Sequence, residues 1–413
     1  MQGYSNYNIV DNNISIKDGA NLDAFSRLRV SNPLVLHTSQ FTYDLTPIIF
    51  EQITSGTGST ISHDDTNRCA LMTFSSTPTS GTCYMQTYEY FPYQPGRSQL
   101  IFVTFNMIES AFHTLKFAGY SDGVNGIEFQ LNYDTPQFTI YSQSSLGDET
   151  VIQNDWNLDK FDGTGPSGLT LSLKNTQILV IDIQALYVGR VRVGFDMGGT
   201  IIYAHEFLHS NLVLYPYIQT ANLPVRCGMT CTGTSTTTMN FICSAVISEG
   251  GTEDINMFGY TFATNNSVSA TTGGIHLMTL RPKTLFGGLT NRMRIAFIDV
   301  EIYNAGNQPV RWDLCVGQAI TGGTYADVNT TYSGTEVNTG GTLSGSPAIV
   351  IDSGWTVSTG SSKGLVNTSV ISRYPITLNA AGANRTLGSL SLKVTSLSAT
   401  QTTYGGIKFR EIR

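Results

Sequence analysis

His205-Glu206-Phe207-Leu208-His209 is the pattern in this sequence with the most definite chemistry attached. Two histidines four apart, with a glutamate between, hold zinc when a helix puts both rings on one face. On a strand the same two residues stand about 13 Å apart, because each residue advances roughly 3.3 Å. Ligands of one zinc sit only about 2.0–2.1 Å from it, so strand spacing does not serve a shared metal. The flanks decide. Met197-Gly198-Gly199-Thr200 reads as a hairpin turn, and Ile201-Ile202-Tyr203-Ala204 is β-branched and aromatic. There is no N-cap followed by a 3.6-residue apolar period, and Asn211 and Pro216 leave a helix little room. The expectation is a strand, with no metal site at His205 and His209.

The densest acidic patch, Asp155-Trp156-Asn157-Leu158-Asp159-Lys160-Phe161-Asp162-Gly163, opens like a calcium loop, in which alternate oxygens converge on a hard cation. Lys160 and Pro166 stand where such a loop needs glycine and a bidentate glutamate. A surface loop capped by its own Asp side chains fits better. Cys227 and Cys231, with Cys243 further on, have metal-like spacing but no nearby histidine, and read as small apolar residues on adjacent strands. Six cysteines in 413 residues are too sparse for a disulfide scaffold. No phosphate loop, dinucleotide fingerprint or nucleophile elbow is present. Asp64-Asp65 and Asp148-Glu149 are turn pairs of the solvated kind. A glycosidase needs two carboxylates across a groove, a separation that only the fold sets. No catalytic residue and no cofactor is assigned.

The elements that carry these residues are strands. Ile178-Leu179-Val180-Ile181 is a short continuous apolar run, and Val191, Val193 and Phe195 alternate with Arg190, Arg192 and Gly194. Similar runs follow turn clusters at Gln99–Phe105, Ile127–Leu131 and Gln137–Tyr141. There is no βαβ alternation and no amphipathic helix. The fold class expected is all-β: a jelly-roll or lectin-like β-sandwich over 41–250, then a second, smaller β-sandwich domain over 251–413. Ser248-Glu249-Gly250-Gly251 marks the boundary, and residues 321–346, rich in Thr, Gly and Ser, read as a long exposed loop.

Only 13 % of residues are charged, against about 25 % in ordinary domains, and the net charge is −7. With no basic run, a nucleic-acid footprint is missing. No stretch reaches membrane-spanning length, and Met1 to Asn6 is not secretory in character. Low charge over so long a chain suits faces buried against other subunits.

Residues 1–40 read as an extended N-terminal arm. Within it Phe25, Arg27 and Arg29 share one parity, Leu28 and Val30 the other. The segment is either an edge strand closed at Pro33 or a clamp that docks on a neighbour by strand addition, its arginines fixing register. The assembly contacts expected are therefore Phe25, Arg27, Leu28, Arg29 and Val30.

Several separated stretches, taken in order, resemble a family of virion structural proteins from tailed phages and related large DNA viruses. They are Phe25 to Pro33, Pro95-Gly96-Arg97-Ser98, Asp155 to Gly163, Val188 to Phe195, Asn222-Leu223-Pro224-Val225-Arg226, Cys243 to Gly251 and Arg281-Pro282-Lys283. The resemblance runs from about Phe25 to the C-terminus. It implies a non-enzymatic structural subunit of a bacteriophage particle, made in the host cytoplasm and located in the virion, on the capsid surface or in the tail. Its partners would be other virion proteins and copies of itself, a homo-oligomer, with no nucleic acid and no membrane. The alternative is a carbohydrate-binding adsorption protein, a lectin-like fibre module with a host-surface glycan as partner. In that reading Trp156 or Trp355 would be the stacking platforms. A metal-dependent hydrolase centred on His205 is the third reading.

Overall fold

Short β-branched and aromatic runs, punctuated by Gly, Pro, Asn and Asp turns, form strands along the whole chain in a computed structural model. Residues 7–10, 13–16, 19, 21–30, 32–75, 80–184, 187–220, 222–250, 257–263, 267–347, 349–365 and 374–413 are described. Met1 to Asn6, Ala185, Leu186 and Gly251 lie outside them. The helical elements among the described residues are short 3-10 turns, at Gln153–Asp155 and Thr386–Gly388. The chain is all-β.

It divides into two units. The first contains Met1–Thr87 and Phe91–Glu253, the second Tyr88–Tyr90 and Asp254–Arg413. The first unit is a sandwich of two antiparallel sheets. The seven-stranded sheet runs, edge to edge, through Glu149–Ile152, Thr135–Tyr141, Gly126–Asn132, Thr114–Ser121, Val225–Cys231, Gly81–Thr87 and Phe50–Ser55. The eight-stranded sheet runs through Ile201–Phe207, Val191–Asp196, Gln177–Gln184, Ser98–Asn106, Thr237–Glu249, Cys69–Phe74 and Ser59–Asp64, with Leu34–Gln40 also paired to Thr237–Glu249. Facing side chains of both sheets, such as Phe129 and Met229 against Phe105, Phe195 and Phe241, share one core. The Phe129 ring lies 5.9 Å from Phe105 and 5.2 Å, edge-on, from Phe195.

The second unit repeats the scheme on a smaller scale. A five-stranded sheet orders Met257–Ala263, Gln401–Ile412, Arg294–Asn304 and Gly360–Leu365, with Val268–Ala270 on the same Gln401–Ile412 strand. A six-stranded sheet contains Ile275–Pro282, Leu390–Ser396 and Val310–Val316 at its centre. Val300, Ile302, Ile407 and Phe409 from the first meet Leu280, Leu314, Leu392 and Val394 from the second.

Three expectations need correction. Leu34–Gln40 is a strand of the first sandwich and not part of an arm. Residues 25–30 are no strand: Ser26 has φ +61°, a lone bridge joins Leu22 to Leu28, and Asp23 Oδ1 accepts from the amides of Phe25 and Arg27 at 2.9 and 2.8 Å. A carboxylate cap bends the chain where side-chain alternation alone suggests extension. Residues 321–346 are not one exposed loop either. They include the strands Tyr325–Asp327 and Thr335–Asn338, with Thr335 and Val337 buried.

Candidate functional site

The first three residues of the zinc-like motif, His205 to Phe207, close the strand Ile201–Phe207 that its flanks predict. His205 Nδ1 accepts the Asn157 amide at 3.2 Å, and burial pushes this ring down to about 4 against the opposing charge of Glu149. His209 lies beyond the strand, its Nδ1 3.1 Å from Gly189 O and its Nε2 3.2 Å from Glu149 Oε2, stacked on Tyr217 at 4.1 Å. Among the described residues no group of three or more His, Cys, Asp and Glu converges as metal ligands do. In the acidic loop, Asp159 accepts from the amides of Phe161 and Ser167, and Asp162 from the amide and hydroxyl of Thr164. These carboxylates cap their own backbone. Trp156 is buried against Phe138, with 4.8 Å between rings, so it is no stacking platform; it fills the core. Trp355 is 56 % exposed.

The expected assembly residues divide. Arg29 is spent inside its own chain: Nη2 donates to Asp182 Oδ2 at 2.6 Å, and Nη1 to Glu249 Oε1 at 2.5 Å. Asp182 is fully buried and also accepts from Arg192 at 2.6 Å, Tyr203 at 2.9 Å and Ser98 at 2.8 Å. Arg27 pairs with Asp23 at 2.7 Å and lies over the half-buried Phe25 ring. Leu28 and Val30 are 49 % and 84 % exposed.

Two sheet faces turn polar groups away from the cores, and they differ in kind. On the seven-stranded sheet, one rung crosses from Thr139 through Glu128, Gly119, Arg226 and Gln86 to Glu51. A Cβ on Gly119 would sit 2.7 Å from Glu128 Cα, so only glycine fits between the acid and its partner. Across that gap Arg226 Nη1 is 3.8 Å from Glu128 Oε1, and its guanidinium lies between the Tyr84 and Phe117 rings, 4.1 and 4.7 Å away. Gln130 donates to Glu128 Oε2 at 2.9 Å and to Tyr141 OH at 2.8 Å. Burial raises Glu128, while Arg226, Gln130 and Ser121 pull it the other way. Gln86, Phe117, Glu128 and Gln130 are all buried, so this face is closed by its own side chains. Glu51 and Glu128 are four strands apart, about 19 Å at roughly 4.8 Å per strand, beyond the about 5–9.5 Å that glycoside hydrolysis uses. Nearer to Glu128, Asp122 is occupied in capping Val124 and Asn125.

The second face is open. On the outer side of the five-stranded sheet lies a groove of about 170 Å³. Three rungs form it: Tyr303 beside Tyr404, Glu301 beside Gly406 and Ala263, and Asp299 beside Lys408 and Thr261. The two tyrosine rings are 6.1 Å apart and inclined by 38°, with Tyr303 46 % exposed. Lys408 Nζ is 3.8 Å from Asp299 Oδ2. A bulge between Phe297 and Asp299 makes this possible. It lets Phe297 face the core and Asp299 the groove, although both are odd-numbered positions of one strand.

Sequence reasoning missed these residues, yet a signal existed. Ile295 and Phe297 carry the apolar parity first, then Val300 and Ile302 take it over. Such a phase switch inside one strand marks a bulge, and past it Asp299, Glu301 and Tyr303 fall together on the outer side.

No protein-family model and no curated protein matches the sequence. Among solved structures, the chain is similar to a legume lectin-like domain from Entamoeba histolytica, with 8 % identity and a TM-score of 0.33, covering 52 % of this chain and 98 % of that one. It is similar to the Bacillus licheniformis beta-glucanase at 11 % identity and a TM-score of 0.32, over 52 % and 98 % of the two chains. Winged bean acidic lectin complexed with methyl-alpha-D-galactose gives 13 % identity and a TM-score of 0.31, again over 52 % and 98 %.

Proposed function

We propose that this chain is a carbohydrate-binding structural protein without catalytic activity, serving as an adsorption or surface component of a virus particle. The observation that carries the binding is the groove on the five-stranded sheet. Sugars present apolar C–H faces and a rim of hydroxyls. Tyr303 and Tyr404 offer aromatic surface to the first, and Glu301 and Lys408 offer an acceptor and a donor to the second, with the buried Asp299 holding Lys408 in place. The reading without hydrolysis rests on the ion pair that holds Asp299 to Lys408. By spacing alone, two residues apart on one strand and so about 7 Å, Asp299 and Glu301 fall within the glycosidase range, and release of sugar from a bound glycan is the outcome that decides between the two. The particle setting rests on the sequence resemblance, with Leu28 and Val30 as the exposed apolar residues for assembly.

The test is a glycan array read with the full chain and with Tyr303→Ala and Tyr404→Ala. Binding should be present in the parent and fall about tenfold or more in each variant, as expected for losing an aromatic anchor in a binding site. Absence of binding to every glycan, or binding that ignores both substitutions, would end this reading. Release of shorter sugars from a bound glycan would replace it with a hydrolase. For the particle role, a Leu28→Ser, Val30→Ser double variant should stay folded and fail to enter particles; normal incorporation would remove those residues from assembly.

A further inference from the structure

We propose that the groove takes a neutral, linear oligosaccharide lying along the strands, and not a single terminal sugar. This rests on the carbohydrate-binding reading above and narrows it to one class of ligand. The length of the site is the first ground. Its rungs are two residues apart on Arg294–Asn304 and Gln401–Ile412, so each is about 7 Å from the next, and the tyrosine rung is about 14 Å from the Asp299 rung. That span exceeds one pyranose ring and suits a short run of linked rings.

The floor is the second ground. At the middle rung of the central strand stands Gly406, with no side chain to divide the groove. A Cβ there would come within 3.1 Å of Phe262 O and 3.2 Å of Ala263 Cβ, tighter than usual contact, so a side chain at this position would crowd the edge strand and glycine leaves the floor bare. A chain of sugars can pass over it from the aromatic pole to the polar pole.

Charge is the third ground. Asp299 is paired with Lys408, and Glu301 adds a second carboxylate to the lining. Two acids stand against one ammonium there, so the groove lining has no cationic surplus to hold a uronate or a sialylated chain. The tyrosine pole bears no charge at all. Hydroxyls are what this surface can recognise.

The experiment uses the full chain against immobilised sugars from monosaccharide to hexasaccharide, in neutral series (glucans, mannans, galactans, xylans and N-acetylglucosamine polymers), with oligouronates and sialylated chains alongside. Affinity should rise about tenfold or more between monosaccharide and hexasaccharide of the preferred neutral series. Tyr303→Ala should weaken every length that binds. Ala263→Tyr, at an exposed edge-strand position that accepts an aromatic, should bring the hexasaccharide down to the monosaccharide level while the circular dichroism spectrum is kept. A monosaccharide bound as tightly as its hexasaccharide would overturn the proposal. So would preference for an acidic chain, or indifference to Ala263→Tyr. Failure to bind any sugar is a different result and would take down the carbohydrate-binding reading itself.

Discussion

Asp182 is a fully buried carboxylate on which two guanidiniums converge: Arg29 and Arg192 both donate to it at 2.6 Å, with Tyr203 and Ser98 completing its shell. Removing one member of such a buried set leaves the others charged and unmatched. Asp182→Ala should therefore cost about 3–5 kcal/mol, read as a lower urea midpoint with little change in slope. A loss below about 1 kcal/mol would mean that the two guanidiniums find water instead. A second prediction concerns His37, buried between Phe50 and Phe91 and held by burial down to about 4. The unfolded chain binds this proton near pH 6.5 and the folded one only near 4, so the stabilisation is complete above about 6.5 and is lost as pH falls towards 4. The loss is of order 3 kcal/mol, and His37→Phe should flatten the fall in melting temperature between pH 7 and 4.5. An unchanged pH slope in the variant would assign the acid sensitivity elsewhere. Individual residues were only half legible. Arg192 alternates with Val191 and Val193, which correctly puts it on the outer side. It is nevertheless buried, because the Leu22 carbonyl it donates to at 2.7 Å comes from 170 residues away. Alternation tells which face a side chain takes, and nothing about what covers that face.

At the scale of elements, strands such as Ser98–Asn106, Gly126–Asn132 and Thr135–Tyr141 were readable, since pleat and burial impose the same period of two, whereas Leu34–Gln40 fell within the expected arm. Shorter ones were not: Tyr325–Asp327 and Thr335–Asn338 have too few residues to show a period, and their Gly and Thr neighbours look like loop. The segment at Phe25 to Val30 failed the other way, its alternation overruled by the Asp23 cap. The bulge at Ile298 gives the sharpest test. Phe297 pairs with Phe409 and Asp299 with Lys408, so Ile298 is the extra residue and its removal leaves both registers intact. Deleting Ile298 should cost little stability and preserve glycan binding. Deleting Val300 shifts the pairing by one and turns Glu301 and Tyr303 inward, so folding of the second unit and binding should both fail. Equal damage from the two deletions, measured by thermal melts, would show that the bulge itself sets the shape of the groove.

For the whole molecule, two separate apolar clusters predict two cooperative transitions. Differential scanning calorimetry should give a calorimetric enthalpy above the van't Hoff value, and Tyr303→Ala should leave the first unit's transition in place. A single two-state transition would show the units melting as one. The capped loop at 155–163 and the strand that carries His205 were legible as structure, whereas the groove needed the pairing of strands a hundred residues apart, which no local pattern records. The ion pair between Arg29 and Glu249 carries one more consequence, about time. These residues lie 220 apart in the chain, and the first unit's longest strand, Thr237–Glu249, is made last. On a ribosome, Arg29 therefore waits for nearly the whole unit to be synthesised before its partner emerges. Until then Ser98–Asn106 lacks its neighbour and offers a bare edge to other chains. Nascent chains stalled before residue 237 should be cut readily by protease and associate with one another. Chains extended beyond residue 253 should resist, so the last strand of the first unit to be made is the one that closes its bare edge.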